Sequence, residues 1–256
     1  SSSRMVGDLD AADADTRFYS TQTSMAFGQQ ILFASDVNGD GRDDLLIAAP
    51  RSDETDESAG AVYLFLGHET DYGLGSAFLH TVAQAEYLGS AIRDYAGTSL
   101  VDLGDVDGDG RAEFAIGAPN VDSETTSDDE IGTVYLMLSP ALSGTSDLET
   151  TADIRIRGAT NNNFLGESLA ANFDLDADGY TDLAIGAPNE RRVWSYVGVT
   201  YLIYGPITDL PAELTVTGDE DASFVGEAAS DQAGRVLPGA DRDDDGLRAP
   251  RHGPPC

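Results

Sequence analysis

Three acidic loops with the same spacing constrain this chain more than any other feature of its sequence. The middle loop, Asp105-Val-Asp107-Gly-Asp109-Gly110-Arg111-Ala-Glu113, has carboxylates at its first, third, fifth and ninth positions and glycine at its sixth. Four carboxylates this close together repel one another unless a cation lies between them. A hard divalent cation that takes six to eight oxygen ligands fits the pattern, and Ca²⁺ fits such a flexible loop best.

The middle loop is not an EF-hand, although it begins like one. An EF-hand requires a bidentate glutamate at position twelve, and position twelve here is Ile116. The apolar run Phe114-Ala-Ile116 follows the ninth-position acid directly. The loop is therefore predicted to join two β-strands.

The same loop occurs once on either side of the middle copy. The first loop (36–44) begins 69 residues before the second (105–113), and the third (174–182) begins 69 residues after it. A fixed period of this length indicates a repeat architecture. Each loop is predicted to bind one Ca²⁺, with the seventh residue giving its backbone carbonyl: Asp36, Asn38, Asp40, Arg42 and Asp44; Asp105, Asp107, Asp109, Arg111 and Glu113; Asp174, Asp176, Asp178, Tyr180 and Asp182. Asn38 lowers the ligand charge of the first loop, so tighter binding is expected at the other two.

Further motifs recur with the acidic loops. An aromatic residue and a glycine precede each loop, as in Phe27-Gly28, Tyr95-Ala-Gly97 and Phe164-Leu-Gly166, and a small-Ala-Pro segment ending at Pro50, Pro119 or Pro188 follows it. A third apolar run and then a fourth strand complete each repeat. The fourth strand is predicted near 78–82, at 153–157 and at 213–217. Four short strands per repeat, joined by tight polar turns, predict the blades of a β-propeller.

These motifs divide the chain into five segments. Residues 1–26 are predicted to end a preceding blade, and complete blades are predicted at 27–94, 95–163 and 164–223. A fourth repeat is predicted to open at Phe224-Val-Gly226 and to be incomplete or degenerate over 224–256. Its loop has Asp241, Asp243 and Asp245 but Ala249 at the ninth position. The chain is thus predicted to be all-β, with three complete and two partial blades of a larger propeller, and its tail is not expected to be a native cap.

Composition limits the partners and the compartment. The formal net charge is −32, from 46 acidic and 14 basic residues, and every basic residue is arginine. Nucleic acid and anionic membranes are poor partners because phosphate contacts need clustered cations. The single cysteine, Cys256, excludes an internal disulfide. Either the compartment is reducing or the protein is exported and held together by calcium, and millimolar extracellular Ca²⁺ favours export. No signal peptide is visible in this segment, and the sequence contains no apolar run of 18 residues.

The combination of aromatic-Gly, acidic loop and Gly-Ala-Pro resembles the FG-GAP repeat, which builds the β-propeller of integrin α subunits. The resemblance covers about residues 5–232. It implies a Ca²⁺-binding propeller segment of an extracellular or cell-surface protein that serves adhesion or binds a protein or glycan ligand. Two alternatives stay open, a structural spacer and an accessory propeller of a larger secreted enzyme.

A catalytic function of this segment is not predicted. His68, His80 and His252 lie in no repeated motif, and no Gly-x-Ser-x-Gly segment is present. The repeated Tyr63, Tyr135 and Tyr201 are predicted to be core residues with hydrogen-bonded hydroxyls.

One loop stands out as a candidate partner site. The loops between the second and third strands are predicted to lie opposite the acidic loops, and those at 51–59 and 120–131 are acidic. The third instead contains Arg191, Arg192, Trp194 and Tyr196. Arginine, tryptophan and tyrosine are enriched in binding hot spots, so these four residues are a candidate partner-binding patch. The alternative is that Trp194 fills a local apolar gap and that the arginines pair with nearby acids.

Overall fold

The computed structural model describes residues 16–20, 22, 24–68, 75–78, 82–123, 129–192, 195–216, 221–228 and 230–235. Short strands dominate these residues, and the helical elements are one turn each. The elements in chain order are β1 Thr16–Tyr19, β2 Ile31–Ala34, β3 Asp44–Ala49, β4 Ala61–Phe65, β5 Gly75–Phe78, β6 Ala85–Leu88, β7 Ser99–Gly104, β8 Glu113–Ala118, β9 Thr133–Met137, β10 Gly144–Asp147, α1 Leu148–Thr151, β11 Ile154–Gly158, β12 Ser168–Phe173, β13 Asp182–Ala187, β14 Arg191–Arg192, β15 Ser195–Tyr196, β16 Val199–Ile203, a 3₁₀ turn Ile207–Asp209, β17 Glu213–Val216 and β18 Ala222–Val225.

Three antiparallel four-stranded units confirm the predicted blade architecture. Blade I consists of β2, β3, β4 and β6, blade II of β7, β8, β9 and β11, and blade III of β12, β13, β16 and β18. The acidic loops join the first and second strands of each blade. The second and third strands are buried along nearly their whole length. Blade II lies between blades I and III, which cover both of its faces.

Three outer strands, β1, β6 and β11, each receive an additional, parallel strand from the following repeat. β5 pairs with β1, β10 pairs with β6, and β17 pairs with β11. The three donated strands begin at residues 75, 144 and 213, so they share the 69-residue period. Blades I and II are therefore five-stranded sheets in which one strand belongs to the next repeat.

The exchange corrects two strand predictions. The fourth strand of blade I is β6 and not a strand near 78–82. Glu213–Val216 is not the outer strand of blade III, because it pairs with β11 of blade II. The outer strand of blade III is β18, which pairs with β16. The sequence does not distinguish a donated strand from an outer strand, because both are short and they lie about ten residues apart.

The start of the fourth repeat is also corrected. Phe224-Val-Gly226 ends blade III, since β18 crosses the predicted limit between residues 223 and 224. The fourth repeat opens at 232–234 instead. Gln232 has a positive φ of 53°, like Tyr95 (53°) and Phe164 (55°), and Gly234 contacts Gly186 of blade III as Gly166 contacts Gly117 of blade II.

The hydrophobic core lies between blades. One cluster joins blades I and II, with Leu64 and Tyr87 of the first against Phe114 of the second. A second cluster joins blades II and III, with Leu136 packed among Leu183 and others. Tyr63, Tyr135 and Tyr201 are all at most 1% exposed, and the Tyr135 hydroxyl donates to Glu149 Oε2 at 3.0 Å. These contacts confirm that the repeated tyrosines are core residues.

An ion-pair cluster reinforces the strand exchange at blade II. Arg157 on β11 is 8% exposed. Its Nε lies 2.7 Å from Glu213 Oε1 on the donated strand, and its other guanidinium nitrogen donates to Glu149 of α1. One arginine therefore connects the outer strand of blade II, the helical turn beside it and the strand received from blade III.

The burial of Asp94, in the turn between blades I and II, should make the folding stability depend on pH. Its carboxylate is 5% exposed and accepts hydrogen bonds from the N–H groups of Ser90 and Ala91. Burial, and then the charges of Asp122 and Glu149, raise its pKa to about 6. The pKa of Asp94 is higher in the folded than in the unfolded state, so its protonated form stabilises the fold. This stabilisation is fully present below the unfolded value of 3.8 and is lost as the pH rises through 6.

Asp94→Asn is therefore expected to stabilise the protein at pH 7.5 by about 2 kcal/mol and to give no advantage near pH 4. Asparagine already occupies the equivalent turn position at Asn163. The measurement is the free energy of denaturant-induced unfolding of both proteins from pH 4 to 8 at constant calcium. Asp209→Asn, at an exposed carboxylate, controls for the loss of one charge. A stability difference that does not vary with pH would contradict the prediction.

Candidate functional site

The three acidic loops lie at the same end of neighbouring blades, each between two strands that fix its ends. Glycines at positions four and six allow the tight turn in the first and second loops, as at Gly108 (φ 78°) and Gly110 (φ 88°). The first carboxylate accepts backbone N–H groups across each turn. In the second loop, Asp105 accepts from Gly108 at 2.8 Å and from Gly110 at 3.0 Å. These bonds hold the loop in place and leave other carboxylate oxygens available.

The second loop has the most complete donor set. Ligand oxygens of Asp105, Asp107, Asp109 and Glu113 all lie within 4.8 Å of one another. Glu113 is 1% exposed; its Oε2 accepts from Val106 N at 2.7 Å, and its buried Oε1 has no hydrogen-bond partner in the described part of the chain. Burial, and then the charges of Asp107, Asp105 and Asp109, raise the pKa of Glu113 to about 7. A buried carboxylate oxygen without a partner, directed toward three other acids, fits a hard cation.

The third loop brings together three acids instead of four. Oxygens of Asp174, Asp176 and Asp182 lie within 4.8 Å of one another. Asp176 is exposed; partial loss of hydration inside the loop, and then the charge of the neighbouring Asp178, raise its pKa. Both oxygens of Asp182 accept backbone N–H groups, from Leu175 at 2.5 Å and from Gly205 at 3.0 Å. The ninth-position acid is therefore held more firmly here than in the second loop.

In the described residues, the first loop does not bring oxygens of three carboxylates within 4.8 Å of one another. Its third position is Asn38, whose amide donates to Asp40 Oδ2 at 3.3 Å, and Arg42 lies 3.4 Å from the same oxygen. Asp44 is anchored like Asp182, by Val37 N at 2.9 Å and Gly67 N at 2.7 Å. Burial raises the pKa of Asp44, and Asp36 and Asp40 add to the effect. Weaker binding at this loop stays a prediction, as do the carbonyl ligands Arg42, Arg111 and Tyr180.

The predicted partner-binding patch lies partly within the described residues. Arg191 and Tyr196 face each other across the short hairpin β14–β15, with Arg191 Cζ 5.4 Å from the ring centroid of an about half-exposed Tyr196. Arg192 pairs in register with Ser195. Trp194 lies outside the described residues, as do Asp241, Asp243, Asp245 and Ala249 of the fourth loop.

Sequence reasoning missed Glu190, which anchors this hairpin. Glu190 is 2% exposed, and its Oε2 accepts from Thr160 Oγ1 at 2.7 Å and Asn163 Nδ2 at 2.8 Å. Its carbonyl accepts from Val197 N and Gly198 N, both at 3.1 Å. A single acid in a polar loop, here between Asn189 and Arg191, carries no sequence signal that it is buried. Its contacts place the hairpin beside the turn that joins blades II and III, opposite the acidic loops.

Antiparallel four-stranded blades with an acidic loop between their first two strands define a β-propeller built from acidic-loop repeats. The family model of the FG-GAP repeat matches the chain in three places, residues 27–65, 97–137 and 165–202. The chain is an FG-GAP repeat protein with an integrin-α-like propeller architecture, as its sequence motifs predicted.

Integrin α subunits are among its relatives. Integrin alpha-PS3 of Drosophila melanogaster is 30% identical over 182 residues, which are 70% of this chain and 15% of that protein. Human integrin alpha-IIb is 31% identical over 185 residues, covering 70% and 16%. Integrin alpha-5 of Xenopus laevis is 30% identical over 219 residues, covering 81% and 20%. The chain thus spans about a sixth of the length of these relatives. Within the described residues, no helix is long and apolar enough to cross a membrane.

Proposed function

We propose that this chain is a calcium-binding propeller segment of an extracellular or cell-surface protein that serves adhesion or ligand binding. The observation that carries the proposal is the second acidic loop, where four acids converge and a buried Glu113 oxygen has no hydrogen-bond partner among the described residues. Asp105, Asp107, Asp109 and Glu113 would hold the ion, and the equivalent residues would hold it in the other two loops. Calcium bound there neutralises the loop and fixes the ends of adjacent strands.

The role of calcium in this proposal is structural and not catalytic. The loops lie at strand junctions and their carboxylates are engaged by backbone N–H groups, which suits a site that stabilises the blade. We also propose that the segment has no enzymatic activity of its own. A structural spacer and an accessory propeller of a larger secreted enzyme are the alternatives, and both retain the calcium sites.

Ligand binding is proposed for the loop end opposite the calcium sites. The hairpin carrying Arg191, Arg192, Trp194 and Tyr196 is the only one of the three equivalent loops that combines cations with aromatic side chains in its sequence. Within the described residues, a half-exposed Tyr196 ring in contact with Arg191 supports this assignment. A protein or glycan ligand with acidic groups would complement it.

Substitutions in this hairpin test the assignment. In pull-downs against extracellular-matrix proteins and cell-surface glycans, Arg191→Ala and Tyr196→Ala should each weaken capture at least about tenfold, as hot-spot residues do. Arg51→Ala, in the equivalent loop of blade I, is the matched control and should not change capture. Trp194 is the only tryptophan, so tryptophan fluorescence reports on this hairpin alone. Acrylamide should quench it readily, and bound ligand should protect it from quenching. If Trp194 emits as a buried indole and Trp194→Ala lowers stability without affecting capture, the hairpin is structural.

A further inference from the structure

The first and second acidic loops are joined directly by a backbone hydrogen bond. Ala112 N, at the eighth position of the second loop, donates to the carbonyl of Asp36, the first residue of the first loop, at 2.7 Å. The loops also pack together there. A Cβ placed on Gly39 would lie 3.4 Å from Cγ of Arg111, and Val37 and Ala112 are both buried in the core cluster shared by blades I and II.

The peptide that makes this bond belongs to both candidate sites. The N–H of Ala112 shares its peptide plane with the carbonyl of Arg111, which is the seventh-position ligand predicted for the second loop. A cation on that carbonyl would polarise the peptide and strengthen the hydrogen bond donated by its N–H group. It would also fix the position of Asp36, whose side chain is the first predicted ligand of the first loop.

We propose that calcium binding at the first and second loops is positively coupled through the Arg111–Ala112 peptide. This inference rests on the proposed calcium sites. The third loop lacks this connection. No backbone hydrogen bond joins the second and third loops within the described residues, and the bond from Asn172 Nδ2 to the carbonyl of Asp102, 2.9 Å, lies outside both loops. The eighth residue of the third loop, Thr181, is only partly buried, whereas Ala112 is 3% exposed. Among the three loops that the structure describes, the first and second therefore form a coupled pair and the third is independent.

Electrostatics opposes this coupling, and its effect must be separated from that of the hydrogen bond between Ala112 and Asp36. Loading the second loop removes negative charge near the first and so weakens its attraction for a second cation. This effect is screened at high ionic strength, since the Debye length falls to about 3 Å at 1 M salt. A backbone hydrogen bond donated by the buried Ala112 is much less sensitive to salt, so the coupling should be clearest in 1 M NaCl.

The test is a residue-resolved calcium titration by ¹H–¹⁵N NMR in 1 M NaCl, with the amides of Gly41, Gly110 and Gly179 reporting the three loops. Asp107→Asn with Asp109→Asn disables the second loop with isosteric side chains. The calcium affinity of the first loop should then fall at least about fivefold, which is the lower end of usual coupling between sites, and that of the third loop should not change. The matched variant, Asp176→Asn with Asp178→Asn, should leave the first loop unaffected.

Reciprocity gives the second arm of the test. Asp36→Asn with Asp40→Asn should lower the affinity of the second loop by the same factor, because coupling between two sites is mutual. An unchanged or tighter first loop after the second is disabled would overturn the inference while leaving the calcium sites in place. Failure of the unsubstituted chain to bind calcium at any loop would overturn the proposed function itself.

Discussion

Removal of calcium should lower the midpoint of thermal unfolding by at least about 10 °C, the largest single effect expected for this protein. A ligand that binds only the folded state contributes about 2.7 kcal/mol per site at 100 times its dissociation constant, and one kcal/mol corresponds to about 2–4 °C in a protein of this size. Without a cation, the loops also keep several carboxylates within 4.8 Å of one another. The measurement is thermal melting in excess chelator and in millimolar Ca²⁺.

Single substitutions locate this effect. Asp109→Ala should lower the midpoint in calcium and reduce the difference between calcium and chelator, because it removes one of the four converging acids of the second loop. Asp245→Ala is the matched control. It changes an acid in the fourth loop, whose ninth position, Ala249, offers no side-chain oxygen, so its effect should be smaller. A midpoint that is the same in chelator and in calcium would refute calcium stabilisation.

Gly117→Ala should destabilise the junction of blades II and III by about 2–3 kcal/mol, the upper part of the usual range for overpacking. A Cβ at residue 117 would lie 2.2 Å from the carbonyl oxygen of Gly166 and 2.2 Å from Oγ of Ser99. Those two atoms form a buried hydrogen bond of 2.7 Å between the blades. The methyl group would therefore disrupt this bond and separate the two blades.

The measurement for Gly117→Ala is denaturant-induced unfolding in saturating calcium, so that metal binding is the same in both proteins. The matched control is Ala48, which stands at the equivalent position of blade I. Ala48→Gly should cost only the roughly 1 kcal/mol of a glycine in a strand. Equal stability of Gly117→Ala and the unsubstituted chain would show that the junction relaxes to accept the methyl group.

Much of the architecture followed from local signals. Each acidic loop carries its glycines and acids within nine residues, and the loops recur with one period, so the strands on either side and the number of blades were predictable. The first acidic loop joins β2 at Ile31–Ala34 to β3 at Asp44–Ala49, as its sequence predicted, and the other two loops join strands in the same way. These features are encoded locally because a turn and its ligands are set by neighbours along the chain.

The pairing between blades was decided by tertiary structure alone. A strand edge presents the same N–H and C=O groups whatever its sequence, so nothing in Glu213–Val216 distinguishes pairing with β11 from pairing with β16. The burial of Glu190 and the hydrogen bond from Ala112 to Asp36 depend likewise on which loops meet when the blades pack. The sequence alone determined the repeat, its acidic loops and its family. The packed blades determined which strand is exchanged and which loops are in contact, because these contacts join residues distant in the chain.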